Sequence, residues 1–123
     1  MKHTPLQHMT VEQLAERFAN IALEQYRAII MEKNAAYRRL YSQMENVRQE
    51  LKNRPGDQRR VLAPLLNHHN AQVRLKAAIT LLAVEPDAAR QALNFIKDTK
   101  EFPQAADAFG MIRALDDGSY VPT

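Results

Sequence analysis

The stretch Leu62-Ala63-Pro64-Leu65-Leu66-Asn67-His68-His69-Asn70-Ala71-Gln72-Val73-Arg74-Leu75-Lys76-Ala77-Ala78-Ile79-Thr80-Leu81-Leu82 decides the fold. Two apolar segments flank the polar run Asn67 to Asn70, and Asn70 is placed to cap the second of them. The apolar positions recur at three- and four-residue steps, the period of helices that each bury one stripe. This spacing predicts a helical hairpin, one unit of a stacked-helix solenoid.

Towards the C terminus, Pro86 with Asp87 opens a further helix running to about Thr99. Pro103, at a first-turn position, starts another that ends near Asp116-Asp117-Gly118, with Gly118 as its C-cap. Shifting this half by thirty residues superposes Leu62 on Ala92, Leu65 on Phe95, Leu66 on Ile96, Ala78 on Ala108, Leu81 on Met111 and Leu82 on Ile112. That is a degenerate two-copy repeat. A single helical hairpin cannot cover its own apolar faces and gains stability by stacking on the next.

Towards the N terminus, Arg54-Pro55-Gly56-Asp57 is the strongest punctuation in the chain: Pro55 cannot continue a helix, Gly56 has a permissive backbone, and Asp57 can cap the next helix. The segment Gln58 to Asn67 then reads as a helix kinked by Pro64. Earlier, Thr10 and Gln13 form a capping-box pattern, and Leu14, Phe18, Ile21, Ala22, Ile29 and Ile30 mark a helix from about Val11 to Met31. Tyr37, Leu40, Met44, Val47 and Leu51 mark a second stripe, out of phase with the first, so a break falls near Glu32 to Asn34. One long bent helix is the alternative. Two such stripes joined by a tight turn pack as an antiparallel pair. The expectation is an all-α single domain over 1–123 of five or six helices, with a leader pair over 11–53 and repeat hairpins over 57–117. Residues 1–9 and 119–123 read as loose ends.

Asn70, Val73-Arg74, Ala77-Ala78 and Leu81 resemble the second helix of the HEAT-repeat (armadillo-like) family, which opens with an N-cap followed by Val-Arg, Ala-Ala and a leucine. The resemblance covers about residues 58–116, and it implies an α-solenoid in which Arg74 is structural, tying its helix to a neighbour. Two positions depart from the pattern. His68 stands where the family often has an aspartate that pairs with the repeat arginine, and Pro103 occupies the second copy's Val position. A two-helix leader with Asn34 and Tyr37 near its turn, followed by one good and one degenerate hairpin, is similar to a small bacterial family defined as a domain of unknown function. Some relatives with similar layouts lie beside bacterial toxin genes and are proposed immunity proteins, so the resemblance implies an immunity role, with an adaptor as the alternative.

The chain has 123 residues, no cysteine and a formal net charge of +3. This length suffices for a core that removes roughly two thirds of the unfolded surface from water. Without cysteine there are no disulfides and no thiolate chemistry, and a zinc site would have to use the four histidines with carboxylates. Residues 1–56 carry nine basic and six acidic side chains and residues 57–123 carry eight of each, so all the excess lies in the first half. No secretory signal is legible, and the apolar run Ala77 to Val84 falls far short of the ~20 residues that span a bilayer. A soluble, cytoplasmic protein without membrane contact is expected.

The residues offer little chemistry. Adjacent side chains on a helix diverge by about 100°, so His68-His69 is ill-suited to share a metal, and His68 is expected to bond backbone carbonyls. No His-Glu dipeptide of the HEAT-like iron oxygenases occurs. Glu12 with Glu16 sits in opening helical turns, where the dipole favours acids, and Asp116-Asp117 has no base nearby in sequence. Neither serine lies in a nucleophile-elbow setting, and the three glycines are dispersed. No catalytic, cofactor-binding or metal site is expected. Binding surfaces are the better candidates. The cluster Arg48, Lys52, Arg54, Arg59 and Arg60 could grip a nucleic-acid backbone, although cations at helix ends explain it as well. Tyrosine is an effective interface anchor, so Tyr26, Tyr41 and Arg38 are candidates for an exposed patch, with Tyr37 expected in the core. The reading is a non-enzymatic protein-binding domain whose contact residues are drawn from Tyr26, Arg38, Tyr41, Arg48, Lys52, Arg59 and Arg60; nucleic-acid backbone binding is the alternative.

Overall fold

The computed structural model describes residues 4–123, which contain five α-helices and two 3-10 segments and no strand. The chain divides into two compact units, Met1–Val61 and Leu62–Thr123.

The first unit is a helical hairpin. Helix α1 spans Val11–Ile30 and α2 spans Asn34–Asn53. The three-residue connection between two touching 20-residue helices makes them antiparallel. Glu32, at φ +55°, reverses the chain there, so the break wins over a single bent helix. Thr10 opens α1 with a reciprocal capping box: its Oγ1 accepts from the Gln13 N–H at 3.0 Å, and its own N–H donates to Gln13 Oε1 at 2.8 Å. The two stripes are buried as Leu14, Phe18, Ile21, Ala22 and Ala28 on α1 and Leu40, Met44, Val47 and Leu51 on α2. Between them the buried Gln25 directs its Nε2 at Met44 Sδ. Tyr37, expected in the core, is only half-buried. It stands about one turn from the connection that joins the two helices.

The N-terminal segment is more ordered than its pattern suggests. Residues 1–3 lie outside the described residues, but Leu6–His8 form a 3-10 turn held by Arg54, whose Nη2 donates to the Leu6 carbonyl at 3.0 Å.

Gln58–Asn67, expected as a kinked helix, is a 3-10 segment. Pro64 inside it lacks an N–H and its ring opposes an α-helical turn, which favours the tighter winding.

In the second unit, α3 (Ala71–Leu81) packs against α4 (Pro86–Thr99) and α5 (Gln104–Asp116), and α4 packs on α5. Asn70 caps α3, its Oδ1 accepting from the Gln72 and Val73 N–H groups. Helix α3 is buried nearly all round, including Gln72, Arg74 and Thr80, and a buried polar group needs a partner. Gln72 finds one in Gln104, whose Nε2 donates to Gln72 Oε1 at 2.9 Å with both side chains 1% exposed. The superposed repeat positions differ in cover. Ala78 and Ala108 are both fully buried, whereas Phe95, aligned with Leu65, is 62% exposed. Phe95 turns away from the α4 stripe of Ala89, Leu93 and Ile96 and meets Arg74 instead. The C-terminal tail is pinned at its start: the Ser119 N–H donates to Asp117 Oδ1 and the Tyr120 N–H to the Ala114 carbonyl.

Candidate functional site

The basic cluster is largely neutralised by its own sequence neighbours. Arg48 forks onto Glu45, Nε at 3.0 and 3.1 Å and Nη2 at 2.6 Å, and this contact holds the Glu45 carboxyl below its ordinary value. Arg54 donates to Glu50 at 2.9 Å as well as to Leu6. Arg59, expected on a contact surface, is buried instead: its Nε and Nη2 lie 3.0 and 2.7 Å from the Asp57 carboxylate, which they hold below the usual aspartate range. The pairing comes from the turn, because Asp57 at φ +51° directs its side chain back over the first residues of the 3-10 segment and also accepts the Arg59 N–H. Lys52 is half-buried and Arg60 exposed. Phosphate binding draws on cations that release counterions, and three of these five are already committed to carboxylates.

The other candidates gather towards the turn end of the hairpin, where residues 31–33 join α1 to α2. Tyr41 is 55% exposed and Arg38 is exposed, while Tyr26 is half-buried. Tyr41 lies about 10 Å along the axis from Asn34, at 1.5 Å per residue. The largest apolar exposure there belongs to residues that the sequence pattern assigns to the core stripe or to no role: Ile30 at 60% and Met31 at 63%. Arg27, Lys33, Arg38 and Arg39 on this end are exposed, against Glu24 and Glu32. The result is an apolar tip with a basic rim.

His68 and His69 stack with ring centroids 4.3 Å apart. His68 does not bond a carbonyl: its Nδ1 accepts the Asn70 N–H at 3.0 Å, which leaves the ring proton on Nε2. Burial, then the charges of His69 and Arg74, hold its pKa below the ordinary histidine value. Arg74 donates from Nη2 to Glu101 at 2.9 Å, and its guanidinium carbon stands 5.9 Å from the Phe95 ring centre. Partial desolvation raises the Asp107 carboxyl, with Lys76 pulling the other way. Among the described residues no group of three or more His, Cys, Asp or Glu side chains could hold a metal ion. A shallow hollow lined by Thr4, Met9, Gln13, Glu16, Arg17 and Asn20 carries only Glu16 and Arg17 as ionisable groups. No helix of the described residues is long and apolar enough to cross a membrane.

The family model described as "Domain of unknown function (DUF2019)" matches residues 12–116, from the first turn of α1 to the end of α5. The chain belongs to this family. The crystal structure of the protein RPA1889 from Rhodopseudomonas palustris CGA009 is similar along nearly the whole DUF2019 chain, with a TM-score of 0.94 and 40% identity over 98% of this chain and 100% of that one. No curated protein matches.

Proposed function

We propose that this DUF2019 protein is a non-enzymatic, HEAT-like protein-binding module, and that its partner docks on the turn end of the α1–α2 hairpin, where residues 31–33 join the two helices. The observation that carries the reading is the exposure of Ile30 and Met31 at the turn, with Arg38 and Tyr41 exposed one and two helical turns along α2. Large exposed apolar side chains among charged ones mark interaction surfaces, and tyrosine and arginine are among the residues enriched at the energetic centres of such surfaces. Covering Ile30 at its present exposure is worth about 1–2 kcal/mol of the binding free energy. An immunity protein and an adaptor would both use a face of this kind, and the resemblance to families beside toxin genes favours the first. The Arg74 contacts, the internal pairing of Arg48, Arg54 and Arg59, and the dispersed titratable groups give an active centre or a phosphate track no comparable support.

The test compares wild type with the Ile30→Ser/Tyr41→Ser variant in affinity capture from native cells. Loss of a specific captured protein, with the thermal midpoint unchanged, supports the reading. An identical captured set from both proteins overturns it.

A further inference from the structure

Four arginines of this chain meet a carboxylate through the same edge of the guanidinium, the one that carries Nε and Nη2; Arg54 fills it with Glu50 on Nε and the Leu6 carbonyl on Nη2. Arg48 fills that edge with Glu45 and Arg59 fills it with Asp57, each through both nitrogens. At Arg74 the edge is half filled. Its Nη2 donates to Glu101 at 2.9 Å, while its Nε, shut away from solvent, meets no acceptor. Arg74 is itself only 9% exposed. A buried donor without an acceptor is a standing penalty that a second carboxylate oxygen would remove.

The surroundings explain why Glu101 fills one point and not two. Glu101 sits in the connection between α4 and α5, so its reach is limited by that loop, and its side chain is 48% exposed. Phe95, 62% exposed, lies against the guanidinium, and Phe102, the residue after Glu101, is 69% exposed. An aromatic ring beside a guanidinium takes up none of its in-plane donors, so Nε stays unpaired until the groups covering it move aside for a planar acceptor. His68 and His69 close by bring no negative charge, so Glu101 is the carboxylate that an incoming one must displace.

We propose that the Nε/Nη2 edge of Arg74 is a receptor for a carboxylate of a protein partner, an aspartate or glutamate side chain flanked by an apolar residue. The incoming carboxylate displaces Glu101 and spans both nitrogens, and the apolar neighbour lies on Phe95 and Phe102. Glu101 occupies the site in the free protein as a one-point placeholder. This site belongs to the second unit and does not rest on the hairpin reading; either can fail alone.

The experiment tracks the Arg74 Nε–Hε signal by NMR in the full, arginine-labelled chain, using 3-phenylpropanoate as the probe and acetate and 3-phenylpropanamide as controls. The signal should shift downfield with 3-phenylpropanoate, less with acetate, and not with the amide. Glu101→Gln should tighten the probe about fivefold, the strength of a half-exposed ion pair. Arg74→Lys, with its backbone amide spectrum showing a folded protein, should lose the probe. An unmoved Nε–Hε signal in wild type and Glu101→Gln, equal responses to acetate and 3-phenylpropanoate, or binding retained in Arg74→Lys would overturn the proposal.

Discussion

Replacing Gln104 by leucine should destabilise the second unit by about 2 kcal/mol, and replacing Gln72 as well should recover much of that loss. The two amides meet at 2.9 Å between α3 and the first residue of α5, and both are 1% exposed. In Gln104→Leu the Gln72 Oε1 loses the Gln104 donor where water cannot reach it, a penalty of about 1–3 kcal/mol. The added apolar volume of leucine offsets part of this. Gln72→Leu leaves Gln104 Nε2 in the same position and should cost a similar amount. With both replaced, neither amide of the pair faces an apolar partner, and what remains is the fit of two leucines and the loss of Gln72's other interaction. The double variant should therefore cost well under the sum of the singles, about 1 kcal/mol. Urea unfolding monitored by circular dichroism measures all four proteins, with an unchanged slope showing that the unfolded reference is the same. In a thermal scan each single variant should melt roughly 6–10 °C lower. Additive penalties, or single variants within about 0.5 kcal/mol of wild type, would refute the assignment of this pair as a buried, mutually dependent contact.

Local features give further outcomes. His68 has a depressed pKa and accepts the Asn70 N–H through Nδ1, so its contribution to stability is full above the unfolded histidine value of about 6.5 and is lost as pH falls from there through its folded value. The thermal midpoint should drop between pH 8 and 5, and less so in His68→Asn; parallel profiles would contradict this. Lys100 ends α4 at φ +62°, a conformation that costs a non-glycine residue about 1 kcal/mol, and Lys100→Gly should raise stability by up to that amount in urea titration. Thr10→Ala removes one half of the α1 capping box and should cost about 1 kcal/mol, read from the same titration.

The helices were legible because their signals are local. Thr10 with Gln13, Asn70, Pro86 and Gly118 are caps or punctuation whose effect depends on near neighbours alone, and the three- and four-residue spacing of Leu14 through Leu51 sets which side each helix hides. Signals that need a partner distant in sequence were not legible. Gln72 and Gln104 look like ordinary polar residues until α3 and α5 place them together, and Phe95 looks like a core position until α4 rotates it towards Arg74. Arg59 reads as one of five free cations, yet its fate turns on the backbone of Asp57 two residues earlier. Ile30 and Met31 continue an apolar stripe in the sequence, but the turn at Glu32 leaves them beyond the end of the helix that would have covered them.

Docking of a partner on the turn end of the hairpin is best examined with a photo-crosslinking residue introduced in place of Tyr41, and the same residue in place of the exposed Gln91 on α4 as the control. In native cells position 41 should give one discrete protein adduct that disappears when Ile30 is changed to serine, and position 91 should give none of that mass. The same adduct from both positions, or one from position 41 that survives Ile30→Ser, would contradict it.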